Sequence, residues 1–166
     1  MNIIKLTINQ ILILLVFYCF LALSTSYIAE FVFDMKPCIL CLYQRIPFFA
    51  IIAIGISSLF FKKELSRKLA LFLCIILLAV NIGIALYHVG VEKKIFHMTQ
   101  KCMSEAENFA TIAELQKHLE NQAIARCDEP QFIFLGLSMA AWNALFCLFL
   151  LISSLALYKK SDLHFP

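Results

Sequence analysis

The chain has little charge. Asp, Glu, Lys and Arg make up 15% of its 166 residues, against a hydrophobic share of 62%. A soluble domain is roughly a quarter charged and about half apolar. With a mean hydropathy of +0.86, no soluble fold of this length could hide so much apolar surface. A large charge excess is also missing, and the net charge of +3 is too small to suggest a nucleic-acid partner. Neither a second CxxC pair nor histidines at set spacing are present, which counts against a zinc ribbon. No metal is expected.

What the chain does have is four long apolar runs, about 20 apolar residues being enough to cross a bilayer. They predict helices over about 8–29, 43–61, 69–87 and 135–158. The last run begins near Phe132 and is longer than one span needs, so its first residues are expected in the interface or in a tilted helix. Backbone groups in lipid must be satisfied within each segment, so these are helices and not strands. Lys5 and the stretch Ala22-Leu23-Ser24 resemble parts of a signal peptide. The apolar core exceeds the usual 7–15 residues, however, and the run is read as an uncleaved helix. The fold expected is an all-α four-transmembrane-helix bundle, one integral membrane domain over 1–166, with loops at 30–42 and 88–131.

Lys and Arg in short loops set the orientation. Four basic residues, Lys62, Lys63, Arg67 and Lys68, fall between the second and third runs, Lys5 near one terminus, and Lys159 and Lys160 near the other. With four spans all of these share one side. The 88–131 loop holds five basic and seven acidic residues and lacks such a cluster. Both termini are therefore expected in the cytoplasm and both loops outside.

The seven cysteines sort by position. Cys19, Cys74 and Cys147 fall within predicted helices, where cysteine behaves as a small hydrophobe. Cys38, Cys41, Cys102 and Cys127 fall in the external loops, where disulfides persist. Their even number argues for two pairs, Cys38–Cys41 and Cys102–Cys127, among the three pairings that four cysteines allow. A disulfide across two residues closes too small a loop to stabilise much, whereas CxxC pairs recur in exchange chemistry. Pro37 suits the first turn of a helix, so Cys41 is expected near a helix N-terminus, where the dipole favours a thiolate. Arg45 follows one turn later on the same face. Its guanidinium suits both that thiolate and a carbonyl oxygen of an apolar ligand, although an interface anchor would look the same. Lys36 reads as a solvated flank. Between Cys102 and Cys127, two capping boxes and the spacing of Phe109, Ile112, Leu115 and Leu119 predict a short amphipathic helix on the membrane surface.

Pro37-Cys38-Ile39-Leu40-Cys41 with Gln44-Arg45 resembles the signature of the bacterial disulfide-bond formation protein B (DsbB) family. Cys127-Asp128-Glu129-Pro130-Gln131 running on through Met139 is similar to the family's second-loop cysteine and the entry to its last helix. Tyr87-His88-Val89-Gly90-Val91-Glu92 is similar to the end of its third helix in one branch. The resemblance implies a membrane-bound, quinone-dependent thiol:disulfide oxidoreductase of the bacterial inner membrane. Its partner would be a periplasmic thioredoxin-fold dithiol oxidase of the DsbA type. The resemblance assigns the protein-facing disulfide to Cys102 and Cys127, with Cys102 forming the mixed disulfide. It assigns the quinone-facing pair to Cys38 and Cys41, with Cys41 as the thiolate that gives electrons to ubiquinone or menaquinone. Arg45 matches the residue that helps hold the quinone. His88 is a further candidate contact, though a lone interfacial histidine is more often structural. Quinol would carry the electrons through membrane lipid to the respiratory chain. A partner of the DsbA type sits on the order of −120 mV, so re-oxidising it by glutathione would run the wrong way. Gln44 stands where some members carry an acidic residue. His97, His118 and His164 have no supporting constellation.

Three other readings are weaker. A tetraspanin-like interaction protein with structural disulfides would carry Cys-Cys-Gly in its large loop, and this chain has none. A vitamin K epoxide reductase-like enzyme would carry its active CxxC near the chain end. A family variant serving one dedicated partner is the closer alternative.

Overall fold

A computed structural model describes residues 8–60, 64–97, 125–130 and 132–162. Its helices are α1 (Ile8–Phe31), α2 (Ile39–Phe60), α3 (Glu64–Glu92) and α4 (Met139–Asp162). Each contains a stretch long and apolar enough to cross a membrane. On α1 the buried positions Ile11, Leu12, Leu15, Cys19 and Leu23 recur at helical spacing. The opposite face exposes Phe17, Phe20 and Leu21. A helix facing water would be polar there, and hydrocarbon is the solvent in which this surface is at rest.

α3 packs against both α2 and α4, and α1 lies chiefly against α2. The core joins Leu15 and Cys19 of α1, Phe48 and Ile51 of α2, Leu71, Cys74 and Leu78 of α3, and Cys147 and Leu150 of α4. Cys19, Cys74 and Cys147 sit in it fully buried. Hydroxyls within the spans bond to their own helices. Ser58 Oγ donates to the Gly55 carbonyl at 2.6 Å and Ser154 Oγ to the Leu150 carbonyl at 2.7 Å, so neither is left unpaired in an apolar medium.

Among the boundaries that differ from those expected, three bear on the site. α2 begins at Ile39 and not near 43, because Cys38 caps it. The Cys38 carbonyl accepts from the Leu42 N–H (3.1 Å) and Cys38 Sγ accepts from the Cys41 N–H (3.2 Å). A side-chain acceptor at this position satisfies an amide that the helix itself cannot. α3 runs on to Glu92, which places His88 inside the helix and not in a loop. α4 begins at Met139 and not at 135, because β1 (Ile133–Phe134) and β2 (Leu137–Ser138) form an antiparallel hairpin ahead of it. The two turn residues, Leu135 and Gly136, have φ of 53° and 78°, the left-handed pair that a two-residue hairpin requires. Ser138 then caps α4 by accepting from the Ala141 N–H at 3.2 Å. The amphipathic helix expected beyond Cys102, together with Cys102, His118 and His164, lies outside the described residues.

α1 and α2 are in tight contact at Gly55, where an added Cβ would strike Val16 Cγ2. Val is stiff at χ1 and cannot swing away freely. Gly55→Leu is therefore expected to destabilise the bundle by about 1–3 kcal/mol through overpacking. The exposed neighbour Ile56 should accept Leu without loss. Unfolding of the detergent-solubilised chain measures both.

Candidate active site at the head of α2

The site begins with a backbone contact. The Ala125 N–H donates to the Pro37 carbonyl at 3.2 Å, and Ala125 and Cys38 pair as in a parallel ladder. Two residues later the chain presents Cys127, which is 1% exposed and packs with Cys38, Leu40 and Val91. Residues 89 positions apart in sequence thus meet at the first turn of α2.

Cys38 is the hub of this cluster. Its Sγ lies 2.6 Å from Cys41 Sγ and 3.4 Å from His88 Nε2, and its thiol also hydrogen-bonds with Cys127. The bond to Cys127, then that to Cys41, then burial, all push the Cys38 thiol upward. A thiol shared in this way favours its neutral form. Cys41, one turn into α2, is less buried than Cys38 and lines a cavity of about 380 Å³.

That cavity opens between all four helices. Its walls include Phe48, Met139, Trp142 and Phe146, and its polar groups include Ser26, Glu30, Gln44, Arg45, His88, Glu92 and Asn143. A mostly apolar cleft with a few convergent polar groups is the usual form of a small-ligand site. Arg45 reaches it, but in an arrangement the sequence did not show. Its Nη1 pairs with Glu30 Oε2 at 2.6 Å, its Nε donates to Ser26 Oγ at 3.0 Å, and its guanidinium lies 4.7 Å from the centre of the Tyr27 ring. All three partners are on α1, so the guanidinium is fixed from one side while the same side chain lines the cavity. This is more than an interface anchor.

His88 is 3% exposed. Gln44 Nε2 donates to its Nδ1 at 3.1 Å, and Asn143 Nδ2 donates to Gln44 Oε1 at 2.9 Å. Glu92, one turn along α3, lies 3.7 Å from His88 Nε2. Glu30, Glu92 and Asn143 were not singled out as site residues from the sequence, and Gln44 only as a position where some family members carry an acidic residue. Residue spacing along α3 could have paired Glu92 with His88, whereas the contacts of Glu30 and Asn143 cross between helices. On the segment that carries Cys127, Arg126 grips Asp128 with two bonds of 3.1 and 3.0 Å. The Arg126 guanidinium holds the Asp128 carboxyl below the usual carboxylate range.

A CxxC at a helix N-terminus, with a second thiol against its first sulfur and a cavity beside its second, is an arrangement that can support thiol exchange. The sequence profile of the family described as "Disulfide bond formation protein DsbB" matches residues 8–157. The chain belongs to the DsbB family. The "Uncharacterized protein RP370" of Rickettsia prowazekii (strain Madrid E) is 32% identical to it over 146 residues, 86% of this chain and 84% of that one. The "Disulfide bond formation protein B" of Nitrosococcus oceani is 28% identical over 159 residues, 91% of each chain. The protein of the same name from Histophilus somni is 26% identical over 144 residues, 82% of this chain and 80% of that one. With its four spans, this DsbB-family chain is a multi-pass membrane protein of disulfide-bond formation, and membership implies a disulfide oxidoreductase.

The Glu30–Arg45 pair generates a direct expectation. Removing Glu30 leaves a largely buried guanidinium short of an acceptor, so Glu30→Ala should lower stability by about 1–3 kcal/mol. Glu30→Gln, which keeps an oxygen acceptor, should cost less. Thermal unfolding in one detergent compares the two.

Proposed function

We propose that this protein re-oxidises a periplasmic thioredoxin-fold dithiol oxidase of the DsbA type and passes the electrons to a membrane quinone. The observation that carries this reading is the seat of Cys127 against Cys38, with Cys41 next in line and lining the cavity. Arg67 and Lys68 begin α3 at the bundle end opposite Cys38, which supports a cytoplasmic placement for that end and for both termini, in a bacterial inner membrane.

The partner's thiolate attacks the Cys102–Cys127 disulfide, forms a mixed disulfide with Cys102, and releases Cys127 as a thiolate. The partner's second thiolate displaces Cys102, so the partner leaves as a disulfide and two electrons stay in the loop thiols. Cys127 then attacks Cys38. The Cys127–Cys38 bond forms, the Cys38–Cys41 bond breaks, and Cys41 leaves as a thiolate. The positive end of α2 and the Arg45 side chain stabilise that charge. The neutral, hydrogen-bonded state of Cys38 in the reduced cluster suits a sulfur that serves as the point of exchange and not as the electron donor.

The cavity fits a quinone head group. Its aromatic walls suit a flat ring, and Arg45 is the polar group that would hold a ring oxygen, with Gln44 and His88 on the wall beside Cys41. Cys102 then displaces Cys38 from Cys127, which restores the loop disulfide and leaves Cys38 and Cys41 reduced. A quinone held in the cavity would take their two electrons and two protons as that pair closes again. Trp142 and Phe146 add apolar surface to the lining.

Purified protein with ubiquinone or menaquinone should catalyse oxidation of a reduced dithiol oxidase, followed by the loss of quinone absorbance. Cys38→Ser, Cys41→Ser, Cys102→Ser and Cys127→Ser should each abolish turnover, whereas Cys19→Ala and Cys74→Ala should keep it. Full turnover by Cys41→Ser would contradict the route. Arg45→Ala should raise the KM for quinone about tenfold or more, about 1.4 kcal/mol or above, and an unchanged quinone dependence would remove Arg45 from the quinone site.

A further inference from the structure

The polar side chains between the helices form a directed series that ends on the CxxC. Asn81 Nδ2 donates to Cys147 Sγ at 3.4 Å, and Cys147 Sγ donates to Asn143 Oδ1 at 3.7 Å. Asn143 Nδ2 donates to Gln44 Oε1 at 2.9 Å, and Gln44 Nε2 meets His88 Nδ1 at 3.1 Å. Asn81 and His88 come from α3, Cys147 and Asn143 from α4, and Gln44 from α2.

Each link limits the next. A side-chain amide has one accepting end and one donating end. With Oε1 committed to Asn143, Gln44 can offer the ring only an N–H. A ring nitrogen that receives an N–H carries no proton of its own, so the proton of the neutral imidazole stays on Nε2. Around Nε2 stand Cys38 Sγ, a thiol that can donate or accept, at 3.4 Å and the acceptor Glu92 Oε1 at 3.7 Å, and the Cys127 backbone carbonyl accepts from the ring. The Gln44 amide therefore sets the tautomer at Nδ1, and the groups at Nε2 are compatible with it.

We propose that Gln44 and Asn143 are positioning residues that lock His88 in its Nε2–H tautomer, making the ring a hydrogen-bond donor to Cys38 Sγ and not a base. The inference rests on the reading that Cys38 is the sulfur at which Cys127 and Cys41 exchange. The locked ring holds that sulfur between the two thiols and stabilises negative charge whenever exchange leaves it there. An acidic residue at position 44 would give the opposite result, because a carboxylate only accepts and asks for a proton on Nδ1. The titratable groups facing this pair are the Cys41 thiol from α2, the Glu92 carboxylate from α3 and the Cys127 thiol from the 125–130 segment. From α4 comes the neutral Asn143.

Nitrogen NMR of the full chain carrying 15N-histidine, in its reduced form in detergent, reads the tautomer directly, with His88→Asn assigning the signal. The wild type should show Nδ1 bare and Nε2 protonated, and Gln44→Glu should place a proton on Nδ1. Should Gln44→Glu not fold, Asn143→Asp makes the same change one link away. The Gln44 amide then turns to donate to the new carboxylate and presents its oxygen to the ring. A protonated Nδ1 in the wild type, or a bare Nδ1 in a folded variant of either kind, would overturn the proposal. A second readout is the pH profile of Cys38 alkylation in a Cys41→Ser background. His88→Leu should move its midpoint up by about one unit, and no movement would remove the donor role. If Cys127 proves unable to reach Cys38 while the tautomer pattern holds, the relay fails and the lock stands.

Discussion

The arrangement depends on the hydrogen bond from the Ala125 amide to the Pro37 carbonyl. It lies just ahead of the first turn of a membrane helix, where backbone groups still need partners from outside the helix. By pairing residue 125 beside residue 38, it brings Cys127 onto Cys38 and closes the cluster with Leu40 and Val91. Cys38 is held from the other side as well, because its carbonyl and sulfur cap α2. The sulfur that receives a thiol in the proposed relay is thus also a structural cap, which ties the chemistry to the start of the helix and fixes where Cys41 faces.

The bilayer explains why the remaining polar groups sit where they do. In the spans, Ser58 and Ser154 bond back to carbonyls of their own helices, and large apolar side chains face outward on every helix. Polar side chains that reach between helices are costly in such a medium unless fully partnered. Here Asn143, Gln44 and His88 lead to the CxxC, and Arg45 is held by Glu30 and Ser26 beside the same cavity. The far end of the series is less complete, since Asn81 Oδ1 is buried without a partner among the described residues. Polarity in this bundle is concentrated where a ligand with both apolar and carbonyl surfaces would sit.

Much of this was legible in the sequence. Four runs of apolar residues dictate four helices in lipid, and Cys38, Cys41, Arg45 and His88 all surround one site. The misses have physical reasons. The hairpin before α4 went unseen because Leu135 occupies a left-handed turn position that usually signals itself with Asn or Asp. The early start of α2 depends on sulfur acting as a cap, which residue preferences do not encode. Arg45 shares the cavity with Cys41 as its spacing predicts, but its partners Glu30, Ser26 and Tyr27 stand on α1 and no pattern within α2 points to them. Gln44 and Asn143 are 99 positions apart, and no periodicity within one helix reveals a bond between two.

The central claim is that Cys127 reaches Cys38 directly. A chain carrying Cys41→Ser and Cys102→Ser leaves these two as the exchanging thiols, and mild oxidation in detergent followed by peptide mass mapping shows whether they join. The account predicts a Cys38–Cys127 disulfide as the main product. Recovery of both as alkylatable thiols would contradict it.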